Sequence, residues 1–163
     1  MKIAFDASTL ILLAKVDLLR EAAALGMPVI PIRVRSEALA KQSPDAELVR
    51  ILIREQLIEV CQAPRRAALQ IARDFRIHAG EAEALALAIA LKHPMAVDDG
   101  PTIKACKALG VPFLTAIHFL VRLARQETLG QELALEKLRS LSKFGRYKAQ
   151  IIENASRHIR GGD

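Results

Sequence analysis

The chain reads as an α/β domain: a parallel or mostly parallel sheet covered by helices on both faces. Short apolar strands alternate with helix-length segments along its whole length, the pattern of strand–helix–strand units. The hydrophobic fraction of 52% rests mainly on Ala, Leu, Ile and Val, with one Tyr and no Trp. That composition suits helix-covered parallel strands better than aromatic-rich sandwich strands. Residues 78–100 join an acidic helix start, an uncharged helix body, a Pro stop and a strand that ends in Asp98-Asp99-Gly100. At 163 residues the expectation is one domain, 1–163, and a chain of this size buries roughly 70% of its unfolded surface.

Taken in order, residues 2–5 form a short apolar strand that stops at Asp6. Asp6 or Ser8 caps a helix over 9–15, Asp17 caps a second one to residue 25, and Gly26 ends it. Pro28 marks the turn into a strand at 29–32, and a helix beginning near Val34 carries Glu37 in its first turns. Ser43-Pro44-Asp45 opens a helix to about residue 55, and the alternation over 57–60 predicts an edge strand. Pro64 starts a helix to about residue 75.

In the next helix Glu81 and Glu83 lie in the first turn, where the helix dipole favours negative charge by roughly 0.3–1 kcal/mol each. No polar side chain follows from 84 to 91, which predicts burial on nearly every face. A strand at 95–97 comes next, then a helix that Pro101 opens and Gly110 stops. A Pro-bearing strand at 111–115 belongs near a sheet edge. Helices at 116–125, 132–141 and 147–158 complete the chain, with 157–163 expected to be disordered.

Composition excludes several classes. Cys61 and Cys106 stand alone in apolar surroundings, which predicts free buried thiols in a reducing cytoplasm, with no zinc site. The first residues are too soon acidic for a signal peptide, and the longest apolar run falls far short of the ~20 residues of a membrane span. The net charge of +6 points to a polyanionic partner, nucleic acid being the commonest. Arg33 and Arg35, or Lys104 and Lys107, are candidates to touch a nucleic-acid backbone, solvated faces being the plainer reading. His78, His93, His118 and His158 lack metal spacing and receive no catalytic role.

The acids carry the functional signal. Asp6 leaves the first strand, Asp98 and Asp99 leave a later one, and carboxyl ends of strands form the ligand-binding edge of an open α/β sheet. Glu37 and Glu83, near helix starts, reach the same edge. Singly, Asp6 reads as a helix cap, Glu37 as a surface acid, Glu81 and Glu83 as dipole-favoured acids and Asp98-Asp99-Gly100 as a turn. Jointly they make a carboxylate set without His or Cys, suited to Mg²⁺ or Mn²⁺.

Four stretches carry a resemblance: Phe5-Asp6-Ala7-Ser8-Thr9-Leu10-Ile11; Pro31-Ile32-Arg33-Val34-Arg35-Ser36-Glu37; Gly80-Glu81-Ala82-Glu83-Ala84-Leu85-Ala86-Leu87-Ala88; and Val97-Asp98-Asp99. In this order they resemble the PIN-domain nucleases, and among them the VapC-like toxins of prokaryotic toxin–antitoxin pairs, over about residues 1–115. The resemblance implies a three-layer α/β/α fold and a metal-dependent endoribonuclease acting in the cytoplasm. The catalytic acids it implies are Asp6, Glu37, Glu83 and Asp98. Mg²⁺ or Mn²⁺ would lie on Asp6, Glu83, Asp98 and Asp99, with Ser8 or Thr9 as a hydroxyl near the metal. The third acid, often Asp in the family, falls on Glu83 with Glu81 as the alternative; the fourth falls on Asp98 or Asp99. It further implies an RNA substrate, a small antitoxin and a homodimer. An aspartyl-phosphate mechanism also starts from an Asp after the first strand, but needs a second Asp where Ser8 stands. A silent PIN-like binding module is the other alternative, against which the retained acids argue.

Overall fold

The computed structural model describes residues 1–162. Among them, five strands form one sheet: β1 (Lys2–Phe5), β2 (Met27–Pro31), β3 (Glu59–Cys61), β4 (Met95–Ala96) and β5 (Phe113–Leu114). Every pairing is parallel and the order is β3-β2-β1-β4-β5, with β3 and β5 at the edges. The helices are α1 (Ala7–Lys15), α2 (Leu19–Leu25), α3 (Ile32–Ala38), α4 (Pro44–Arg54), α5 (Arg65–Phe75), α6 (Ala79–Leu91), α7 (Gly100–Leu109), α8 (Ala116–Arg125), α9 (Gln131–Phe144) and α10 (Ala149–Ile159). The fold is the three-layer α/β/α arrangement. Helix α6 lies across β1, β2 and β4 with α5 and α7 beside it; α1 packs with α2, α4 and α8, and α9 and α10 pack with α8.

From β1 the chain winds outward through β2 to β3, then crosses by α5 and α6 to β4 on the other side of β1. Connections therefore leave β1 and β4 in opposite directions, and a crevice opens between their carboxyl ends.

Local chemistry accounts for most element boundaries. Asp6 caps α1 by accepting from Thr9 N at 2.9 Å, and Ser43 caps α4 from Ala46 N at 3.3 Å. Gly110 closes α7 in the left-handed conformation at φ 69°, where a side chain would be strained. Helix α5 buries Ala68 and Ile71 and turns its arginines outward. The core runs from Ile3 in β1 to Ile159 in α10 without interruption and includes Phe5 and Phe119, their ring centroids 5.5 Å apart. Each such large side chain contributes about 1.5–3 kcal/mol by leaving water.

Three expectations are corrected. Asp17 does not cap the second helix: it sits at φ 55° just past α1, where Leu18 N donates to Leu13 O at 2.9 Å, and Leu18 becomes the N-cap of α2. Burial of Leu18 and Leu19 rewards this closure. Residues 89–91 of α6 are exposed, although the buried stretch does run from Ala84 to Ala88. The last turn follows the part that covers the strands and is closed by Lys92 in the left-handed conformation. The C-terminal segment stays helical to Ile159, because Ala155 and Ile159 are in the core; Asp163 lies outside the described residues. Cys106 is buried and Cys61 partly so, both as free thiols.

Candidate active site at the strand crossover

Asp6 and Asp98 occupy the crevice between β1 and β4. Asp6 follows β1 and its N–H donates to Ala96 O of β4 at 3.2 Å. Its side chain is 1% exposed; Oδ1 accepts from Thr9 N at 2.9 Å and Oδ2 from the Ser8 hydroxyl at 3.0 Å. Burial pushes its carboxyl up to about 7, hydrogen bonds from Thr9 and Ser8 oppose that rise, and the Asp98 charge adds to it.

Asp98 is held from three parts of the chain. Its Oδ2 accepts from the Thr9 hydroxyl at 2.7 Å and from Ala116 N at 3.2 Å, and its Oδ1 accepts from the Tyr147 hydroxyl at 2.6 Å. Fully buried Thr9 thus joins the two acids, its backbone on Asp6 and its hydroxyl on Asp98. Tyr147 precedes α10. Burial, then the Asp98 charge, hold its phenol above the ordinary range, so it remains a donor. Gly145 makes room for it, since a Cβ there would overlap the Tyr147 ring.

The other acids meet where α3 packs on α6. A Cβ at Gly80 would lie 2.5 Å from Glu37 Oε1, so the bare glycine lets Glu37 rest against the first turn of α6. Burial raises the Glu37 carboxyl; Arg33 opposes the rise, and Glu81 and Glu83 add to it. Glu83 pairs with Arg33, Oε1 to Nε at 3.2 Å. Glu81 turns back to accept from His78 N at 3.0 Å, capping α6. Asp99 does the same for α7, its Oδ2 accepting from Thr102 N at 3.0 Å and Thr102 Oγ1 at 2.7 Å.

The residues read from sequence therefore form two pairs, Asp6 with Asp98 and Glu37 with Glu83, while Asp99 and Glu81 face the starts of their own helices. Among the described residues no three His, Cys, Asp or Glu side chains converge into a ligand set. The donor chemistry nevertheless fits a hard cation. Asp6 and Asp98 repel each other in a buried crevice, and no ion pair among the described residues neutralises either one. Two contacts escaped the sequence reading. Tyr147 carries no motif; its one signal is being the sole tyrosine. Arg33 stands beside Glu37 in the sequence, but its partner is Glu83.

Fold and site together define a doubly wound α/β/α protein with a carboxylate crevice at the crossover of its sheet. The family model for the PIN domain matches residues 2–160, and the chain belongs to that family. PIN domains are generally nucleases that use divalent metal ions and act on nucleic acid. Compared with curated proteins and with solved structures, the chain has no significant match to either. No helix among the described residues is long and apolar enough to cross a membrane.

Proposed function

We propose that this PIN domain is a Mg²⁺- or Mn²⁺-dependent endoribonuclease. The observation that supports it best is the Asp6–Asp98 pair between β1 and β4, Asp6 buried and Asp98 half-buried, unneutralised by any ion pair among the described residues. Asp6 and Asp98 would hold the ion, Glu83 would offer a further carboxylate from the α6 side, and Asp99 shapes the turn as the cap of α7. When bound, such an ion acidifies water and stabilises charge developing on phosphoryl oxygens. Thr9 keeps the two aspartates in register through its backbone and hydroxyl. Glu37, raised above the ordinary carboxylate range, takes the proton of the attacking water at its carboxylate. Arg33 balances Glu83 before substrate enters.

In the finer reading the protein is a VapC-like toxin of the cytoplasm, a homodimer whose small antitoxin covers these acids. Cleavage of a mixed RNA pool by wild type and Glu83→Gln, each with Mg²⁺, Mn²⁺ or EDTA, tests the nuclease reading. Cleavage is expected from wild type with metal, reduced by about a hundredfold or more in the variant. Equal cleavage by both, or cleavage in EDTA, refutes the reading.

A further inference from the structure

We propose that the RNA backbone reaches the acids along a basic groove over the outer face of α5, held by Arg65, Arg66 and Arg73; this rests on the nuclease reading above. A cavity of about 500 Å³ opens beside Glu83, and Arg33, Ser36, Gln62 and Arg65 line it. Arg65 also lines the neighbouring depression of about 370 Å³, whose wall continues through Arg66, Leu69, Gln70 and Arg73. The two therefore make one path that starts at a candidate catalytic acid and leads outward along α5.

The sequence places these charges deliberately on one side. Ala68 and Ile71 of α5 are buried, so positions 65, 66, 69, 70 and 73 fall on the exposed face, three or four residues apart. Arg65, Arg66 and Arg73 have no ion-pair partner among the described residues. The nearby Asp74 accepts from Gln70 at 2.8 Å. Arg65 and Arg66 also open the helix, where its dipole disfavours cations. Uncompensated positive charge in a groove that ends at Glu83 is complementary to a chain of phosphates, and arginine forks bind phosphate oxygens in pairs. The groove between α8 and α10 also carries Arg122 and Arg125, but none of the candidate acids lines it.

The test is fluorescence anisotropy of a labelled single-stranded oligoribonucleotide titrated with the full chain in EDTA across a range of salt, so that binding is read without cleavage. Arg65→Ala/Arg73→Ala keeps the fold, since both positions are exposed and Ala is the better helix former. We expect it to bind about tenfold more weakly, with a salt slope shallower by roughly 1.4, two lost contacts at ~0.7 each. Arg122→Ala/Arg125→Ala should bind like wild type. The proposal is overturned if the α5 pair binds with wild-type affinity and slope, if the α8 pair is the one that loses binding, or if wild type does not bind. Cleavage by wild type with Mg²⁺, measured separately, tells the two readings apart. Wild type that cuts RNA while the α5 variant keeps its affinity sinks the groove alone. Wild type that never cuts while the α5 variant loses affinity sinks the nuclease reading alone.

Discussion

Replacing Asp6 by Asn should stabilise the metal-free protein at neutral pH, although it removes a proposed catalytic acid. Asn is nearly isosteric, its Oδ1 still accepts from Thr9 N, and its amide can donate to the Ser8 hydroxyl. What changes is the charge. Burial pushes the Asp6 carboxyl from 3.8 up to about 7, a gap of about three pH units, or roughly 4 kcal/mol. Because the folded-state value is raised, the folded protein prefers the protonated acid. The stability this group contributes is fully present below 3.8 and is lost as pH rises through about 7. Asn does not titrate. In EDTA the variant should therefore match wild type near pH 4 and exceed it by about 4 kcal/mol near pH 8, a Tm difference of roughly 8–16 °C for a domain of this size. Far-UV circular dichroism melts at both pH values measure it. An equal gap at the two pH values, or a more stable wild type near pH 8, refutes the account of Asp6 as a buried, unneutralised acid. Added Mg²⁺ should raise the wild-type Tm near pH 8 and leave the variant unmoved, since binding stabilises only the state that binds.

Tyr147→Phe removes the hydroxyl that donates to Asp98 at 2.6 Å; loss of a hydrogen bond to a charged acceptor should cost about 1.5–3 kcal/mol. If the bond orients Asp98 towards the ion, the variant also needs about ten- to a hundredfold more Mg²⁺ for half-maximal cleavage; an unchanged Mg²⁺ dependence would confine Tyr147 to stability. Gly80→Ala separates structure from chemistry in the other pair. Alanine improves α6 by roughly 0.5–1 kcal/mol, while its methyl displaces the flexible Glu37 carboxylate. Melts should show Tm unchanged or higher and cleavage assays a loss of about tenfold or more; full activity would show that Glu37 need not rest on α6.

The elements that depend on neighbours within a few residues were legible along the chain. Ser43, Asp6 and Gly110 set helix ends because a cap needs only its own helix, and the segments at 57–60 and 111–115 supply the two edge strands, although β2, with Pro28 and Pro31, pairs on both sides. The acids that end strands were legible for the same reason, as was the burial of Ala84 to Ala88 in α6. Long-range partners were not. Asp98 lies 89 residues from Thr9 and 49 from Tyr147, and no local spacing encodes contacts that exist only once β4 has crossed beside β1. Nor does spacing tell Glu81 from Glu83. Their rotation on α6, set by packing against β1, β2 and β4, aims one back at His78 and the other at Arg33. Which carboxylates, caps and strands are available follows from the order of residues alone. That Asp6 is the acid that loses its water, and that Asp98 is the charge beside it, follows from the assembled sheet, because burial and charge coupling depend on distance in space rather than along the chain.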